Sequence, residues 1–211
     1  MGLVIALNKG RILRESLPIL GECDIRPTEN YETSRKLIFP TSRGGHTLLI
    51  VRGADVPTYV ENGIADVGIT GKDTILEYAS AEGFYELLDL HIGKCRLMTA
   101  GPVGVPEPAL GLRVATKFIR IAKMHYETIG KEVSVIKLSG AMEIAPALGL
   151  SDMIVDIVDS GNTLKANGLE ERQKLFDISS RLIVNRASMK TKHHEIEGLT
   201  SKLNHVLETF L

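Results

Sequence analysis

The chain has 211 residues, with 25 Lys+Arg against 26 Asp+Glu; at about 150 residues per domain that length means one large domain or two small ones. The balance of 25 − 26 = −1 removes the bulk electrostatic case for a protein that coats nucleic acid or a membrane surface, so any basic cluster is aimed at something small. Hydrophobic residues at 44% and charged residues at 24% are ordinary for a globular chain and exclude disorder.

Leu3–Leu7 reads as a buried strand; its five consecutive apolar residues, without a basic start, are not the pattern of a signal peptide. A helix follows over Gly10–Leu20, with Ile12, Leu13, Leu17 and Leu20 near one side. Lys36–Phe39 and Leu48–Val51 read as strands joined by the turn Ser42-Arg43-Gly44-Gly45. Then come a helix over Asp55–Asn62, a strand over Asp66–Thr70, a helix over Thr74–Ser80, and strands over Tyr85–Leu90 and Arg96–Ala100. Strands alternating with helices of this length predict an α/β architecture with mostly parallel sheets.

Pro102–Pro108 is the strongest break, and the alternation restarts after it. Strand Leu112–Ala115, helix Lys117–Ile129, strand Val133–Leu138, helix Ala141–Leu148 and strand Met153–Val158 would build a second sheet. Phe176–Asn185 is a long apolar segment able to carry the chain back to the first domain. A last helix over Ser188–Thr209 has Ile196, Leu199, Leu203, Val206, Leu207 and Phe210 on one stripe. No stretch approaches the ~18 apolar residues of a membrane span. Cys23 and Cys95 stand alone, without metal-ligand spacing, as in a reducing compartment, so the expected location is cytoplasmic.

The most informative segment is Ile154–Leu164, where an apolar strand ends in Asp156 and Asp159 and runs into Ser160, Gly161, Asn162 and Thr163. Successive N–H groups in such a turn form an anion cradle, and the hydroxyls of Ser160 and Thr163 can donate to a phosphate. The acids suit ribose hydroxyls or Mg²⁺. Spacing alone leaves a second reading open, an ordinary turn in which Asp159 or Ser160 caps a helix. Gly71, Lys72 and Asp73 lie in a strand-to-helix turn that is not a P-loop, because Asp66 stands in place of its first Gly and Asp73 in place of Ser/Thr; on the residues alone a plain turn is the simpler reading. Lys9, Arg11 and Arg35 are cations at strand ends, where open α/β sheets bind ligands if the end is the carboxyl one; solvated surface charge is the plainer reading of any single one. Glu143 reads first as an acid in the first turn of a helix, with reach into a cleft as the alternative. His193-His194-Glu195 is not H-E-x-x-H, since Gly198 holds the place of the second His.

Together these segments resemble the ATP phosphoribosyltransferase family, the first enzyme of histidine biosynthesis. The resemblance is carried by Leu7-Asn8-Lys9-Gly10-Arg11, Ser34-Arg35-Lys36-Leu37, Asp55-Val56-Pro57-Thr58-Tyr59-Val60, Gly63–Asp73, Lys94–Gly101 and, most specifically, Asp156–Asn167. It implies a two-lobed fold like type II periplasmic binding proteins, with a cleft between two α/β domains, expected as 1–92 plus 179–211 and 93–178. It implies Mg²⁺-dependent attack of N1 of ATP's adenine on phosphoribosyl pyrophosphate (PRPP), with pyrophosphate leaving. Asp159, Ser160, Gly161, Asn162 and Thr163 would cradle the 5-phosphate, and Asp156 and Glu143 would lie near ribose hydroxyls. Lys9, Arg11 and Arg35 would face the pyrophosphate and the ATP phosphates, and Gly71, Lys72 and Asp73 would line the nucleotide side. No side chain is expected to bind the metal directly.

A chain ending at Leu211 resembles the family's short form, which implies a homodimer of catalytic chains and a histidyl-tRNA-synthetase-like regulatory subunit in a hetero-octamer. The competing reading is a non-catalytic bilobed sensor or binding protein for a small ligand, disfavoured by the missing signal peptide and by the absence of a helix-turn-helix region before the first strand.

Overall fold

The structure is a computed structural model that describes residues 2–42, 45–78 and 82–210, with residue 210 described by its backbone alone. It divides into two compact units, Met1–Gly93 with Ser179–Leu211, and Lys94–Ile178.

The first unit opens with β1 (Val4–Asn8), α1 (Arg11–Glu22), β2 (Ile38–Pro40) and β3 (Thr47–Val51). It continues through α2 (Val56–Glu61), β4 (Val67–Gly71), α3 (Lys72–Glu77) and β5 (Phe84–Asp89). The run Ile5-Ala6-Leu7 is fully buried because β1 lies inside the sheet, with parallel β3 and β4 on either side and apolar side chains on both faces. On α1, Leu13, Ile19 and Leu20 share one core with Leu3, Ile5 and Leu7, following the helical period.

The second unit contains β6 (Cys95–Pro102), β7 (Leu112–Thr116), α4 (Ile119–Thr128), β8 (Val133–Lys137), β9 (Met153–Val158), α5 (Asn162–Ala166) and β10 (Leu169–Ile178). Its sheet runs β10-β6-β9-β7-β8, with one apolar core around Phe118 and Tyr126 and another around Met98, Met142 and Leu164. The chain then returns to the first unit as β11 (Ser180–Asn185), α6 (Arg186–Thr191) and α7 (His193–Phe210). The first sheet thereby has the order β2-β3-β1-β4-β11-β5. Asn185 starts α6 by accepting the Ser188 N–H at 2.9 Å, and Ile196, Leu199, Leu203 and Leu207 of α7 close the first core.

Four expectations need correction. The sheets are mixed rather than mostly parallel: β1, β3 and β4 are parallel, as are β7, β8 and β9, but β2, β5, β6, β10 and β11 pair antiparallel with their neighbours. The helix expected over Ala141–Leu148 is only a 3-10 turn at Met142–Ile144, entered through left-handed Ala141 at φ 52°; Pro146 has no N–H with which to continue a helix. The segment Phe176–Asn185 is the end of one strand and the whole of another, divided at Ser179. The last helix is two, broken at Lys192 (φ −126°). The turn residues Arg43 and Gly44, the helix end expected at Ala79 and Ser80, and the side chain of Phe210 lie outside the described residues. Among the described residues no helix is long and apolar enough to cross a membrane.

Candidate functional site

Parallel pairing brings the carboxyl ends of β1, β3 and β4 to one edge of the first sheet. Antiparallel β2 begins at that edge, and the Ile50 N–H donates to the Leu37 carbonyl at 2.8 Å. Residues 9–10 after β1 and 34–37 before β2 therefore meet around a cavity of about 460 Å³, which Lys9, Gly10, Arg14, Tyr31, Ser34, Arg35 and Lys36 help to line. Lys9 and Arg35 are exposed, so each can offer its charge to an anion. A Ser34 hydroxyl that accepts the Lys36 N–H at 3.1 Å shapes the turn carrying Arg35.

Arg11 is not among the residues lining that cavity. Its Nε donates to Glu15 Oε1 at 2.6 Å one turn along α1, and the other Glu15 oxygen takes the Gly93 N–H at 2.6 Å. Partial burial pushes the Glu15 carboxyl up, but the bonds from Arg11 and Gly93 outweigh it and hold the group below its ordinary value. Gly71, Lys72 and Asp73 stand at the carboxyl end of β4 and the start of α3. A Cβ on Gly71 would overlap the buried Asp73 carboxylate. Lys72 pairs with Glu86 on β5 at 2.6 Å, and its backbone N–H donates to the Ser179 carbonyl at 3.0 Å.

In the second unit the carboxyl ends of β7, β8 and β9 share an edge. β9 ends at Val158, Asp159 and Ser160 form a bend, Gly161 turns left-handed at φ 75°, and α5 starts at Asn162. The Ser160 hydroxyl accepts the Asn162 N–H at 3.4 Å. Gly161 and Leu164 are buried, whereas Asp159, Ser160, Asn162 and Thr163 are exposed, which is a tethered loop with its polar groups outward. Asp156 is half-buried on β9 and its Oδ1 accepts the Ile157 N–H at 2.8 Å. Glu143 sits in the 3-10 turn, next to Met142, which shares a core with Val158 and Leu164 on either side of the loop. That shared core ties the Glu143 turn to the 159–163 loop.

The structure thus brings Lys9 with Arg35, and Glu143 and Asp156 with the 159–163 loop, each group within its own unit. It holds Arg11 and Lys72 in ion pairs. Sequence reasoning passed over Arg14 and Tyr31 in the cavity, and Lys117, exposed directly after β7 with its Nζ 4.7 Å from the Phe118 ring centre. Lys117 was within reach of the rule that selected Lys9, a cation just past a strand's carboxyl end. Tyr31 had no such signal, because only the fold returns 31–35 to β1.

A family model described as HisG, ATP phosphoribosyltransferase, matches residues 52–205. An ATP phosphoribosyltransferase of Ectopseudomonas mendocina (strain ymp) is 57% identical over 206 residues, covering 98% of this chain and 97% of that protein. One from Teredinibacter turnerae is 59% identical over 197 residues, covering 93% and 92%. Among solved structures, a chain of the ATP phosphoribosyl transferase (HisG:HisZ) complex from Thermotoga maritima superposes with a TM-score of 0.86 at 32% identity, covering 98% of this chain and 99% of that one. An amino-acid ABC transporter extracellular-binding protein of Bacillus subtilis shares the fold alone, at a TM-score of 0.61 and 9% identity, covering 99% and 93%. The architecture is accordingly the two-unit α/β fold of periplasmic-binding-protein type.

Proposed function

The chain belongs to the ATP phosphoribosyltransferase family, and from that premise we propose that it joins N1 of ATP's adenine to C1 of PRPP with release of pyrophosphate. The observation that carries the residue-level reading is the tethered loop at 159–163, with exposed hydroxyl and amide groups around a buried left-handed glycine. Such a loop suits a sugar phosphate. Family membership favours this chemistry over the non-catalytic sensor.

The adenine ring nitrogen already presents a lone pair, so no covalent enzyme intermediate or strong base is required. As the N1–C1 bond forms, the C1–O bond breaks and its electron pair leaves with pyrophosphate; the exocyclic amino group then loses a proton. The barrier is charge separation between the sugar and the leaving group, which preplaced cations lower. Lys9 and Arg35 take pyrophosphate or ATP phosphates in this reading, supported by their sharing one cavity, and Arg11 adds a guanidinium paired with Glu15. Gly71, Lys72 and Asp73 line the nucleotide side, while Asp156 and Glu143 address ribose hydroxyls.

Magnesium supplies Lewis-acid neutralisation of the leaving group when bound. Among the described residues no group of three His, Cys, Asp or Glu side chains could hold a metal ion. In this reading Mg²⁺ would be carried by the substrates' phosphate oxygens and water, with no side chain of this chain binding it directly.

The likeness to a chain of a HisG:HisZ complex supports a partner assembly, a homodimer of this chain with a histidyl-tRNA-synthetase-like regulatory subunit in a hetero-octamer. A biosynthetic role of this kind belongs in the cytoplasm. The test is incubation with Mg²⁺, ATP and PRPP while pyrophosphate is followed. Release that requires all three supports the reading, and release with adenine or another base in place of ATP rejects it.

A further inference from the structure

Arg96, near the start of β6, stands in register with Val158, the last residue of β9 and the one before Asp159. Its two terminal nitrogens hold both carboxylate oxygens of Glu171 on β10, Nη1 to Oε2 at 2.8 Å and Nη2 to Oε1 at 2.9 Å. Glu171 is itself in register with Ala100, and the ladder between β10 and β6 shifts on both sides of Lys174. The same Oε1 lies 2.9 Å from the place a Cβ on Gly161 would occupy, so the carboxylate packs directly beneath the loop. The hydrogen bonds and charge of Glu171 favour the charged form of the Arg96 guanidinium most, and the charges of Asp177 and then Asp159 add to them.

An unmasked carboxylate under a phosphate site would oppose the ligand, since like charges repel and the repulsion is stronger near protein than in bulk water. Bidentate pairing with a guanidinium cancels that charge and fixes the plane of the carboxylate. Neither Arg96 nor Glu171 belongs to the loop; both sit on paired strands of the second sheet. We propose that the Arg96–Glu171 pair is a positioning device for the 159–163 loop, which props the Gly161 backbone from below and masks the acid that does so. This rests on the reading of that loop as the sugar-phosphate site.

The test is calorimetric titration of the purified chain with PRPP, alongside steady-state kinetics. Arg96→Ala is expected to weaken PRPP binding about tenfold or more, the scale of one lost charge-assisted pair, with kcat at saturating PRPP and KM for ATP within about twofold of the parent. Glu171→Gln keeps the shape but replaces one accepting oxygen with an amide nitrogen that cannot accept, so one of the two bonds fixing the prop is lost; weaker PRPP binding is expected through a less ordered loop. Tighter binding by Glu171→Gln would mean that Arg96 is itself a phosphate ligand restrained by Glu171, and would overturn the positioning role. The exchange Arg96→Glu with Glu171→Arg is expected to restore binding relative to Arg96→Glu alone, and a double variant no better than the single one would also overturn it. If Arg96→Ala fails to fold by circular dichroism, the isosteric Glu171→Gln decides. A parent chain that neither binds PRPP nor releases pyrophosphate counts against the functional reading itself, whereas a normal parent with unmoved PRPP binding in Arg96→Ala counts against this inference alone.

Discussion

Asp66 and Lys192, 126 residues apart, meet in an ion pair of 2.7 Å that fastens the C-terminal helices to the first sheet. The same carboxylate accepts the Val4 N–H at 2.8 Å and the Ser188 hydroxyl at 2.7 Å, so one buried acid joins β1, α6 and the break before α7. Removing it leaves three donors without that acceptor. Asp66→Ala is expected to cost about 3 kcal/mol, the scale of breaking a buried, hydrogen-bonded pair. Urea denaturation measures this, and a loss under about 1 kcal/mol would reduce the contact to the worth of a surface pair.

The same group makes stability depend on pH. Burial pushes the Asp66 carboxyl up, but the bonds from Lys192, Val4 and Ser188 prevail and hold it below its ordinary 3.8. Asp89 is also held low, the bonds from His91, Ser179 and the charge of Arg181 outweighing burial. A carboxyl depressed in the folded state stabilises fully above its unfolded pKa, and that contribution disappears as pH falls through the folded value. Melting temperature is therefore expected to fall as pH drops below about 4, and to fall less steeply in Asp66→Asn. Equal slopes in the two proteins would show that Asp66 is not the linked group.

Arg35 lines the cavity with Lys9 and is exposed to it, as a cation directed at developing charge should be. Arg35→Ala is expected to lower kcat by about 10²–10³, the cost of removing one preplaced donor, while changing ATP affinity much less. Single-turnover kinetics with a separate ATP titration divides the two effects. Unchanged turnover would remove Arg35 from the chemistry.

Glu15 accepts from Arg11 and from Gly93 at 2.6 Å each, and Gly93 is the last residue before the chain enters the second unit. Glu15→Ala is expected to lower kcat/KM about tenfold through a less ordered Arg11, the scale of one hydrogen bond to a charged group. Glu15→Gln, which keeps an acceptor for Gly93, should recover part of the loss. A value within twofold of the parent for Glu15→Ala would make the contact purely local.

Much of the fold is legible in the chain itself. Runs such as Leu3–Leu7 and Met153–Val158 are largely buried, with buried residues on both faces, and read as strands without help from their surroundings. β10 is the contrary case: Glu170 to Lys174 are mostly charged and exposed on an outer strand, so neither apolar alternation nor a continuous run marks it. Lys192 breaks the terminal helix without Gly or Pro because its side chain is drawn to Asp66, a pull that local propensity does not contain. The 159–163 loop was visible because strand, acid, glycine and hydroxyls are contiguous. Its prop was not, because Arg96 and Glu171 are 75 residues apart and only the second sheet brings them together.

The most direct test of the proposed chemistry is the identity of the adduct formed from ATP and PRPP with Mg²⁺. Mass spectrometry with ¹⁵N-labelled adenine is expected to show one ribosyl phosphate attached at N1 for each pyrophosphate released. Pyrophosphate without an adduct, or ribosyl phosphate attached at any other nitrogen, would contradict it.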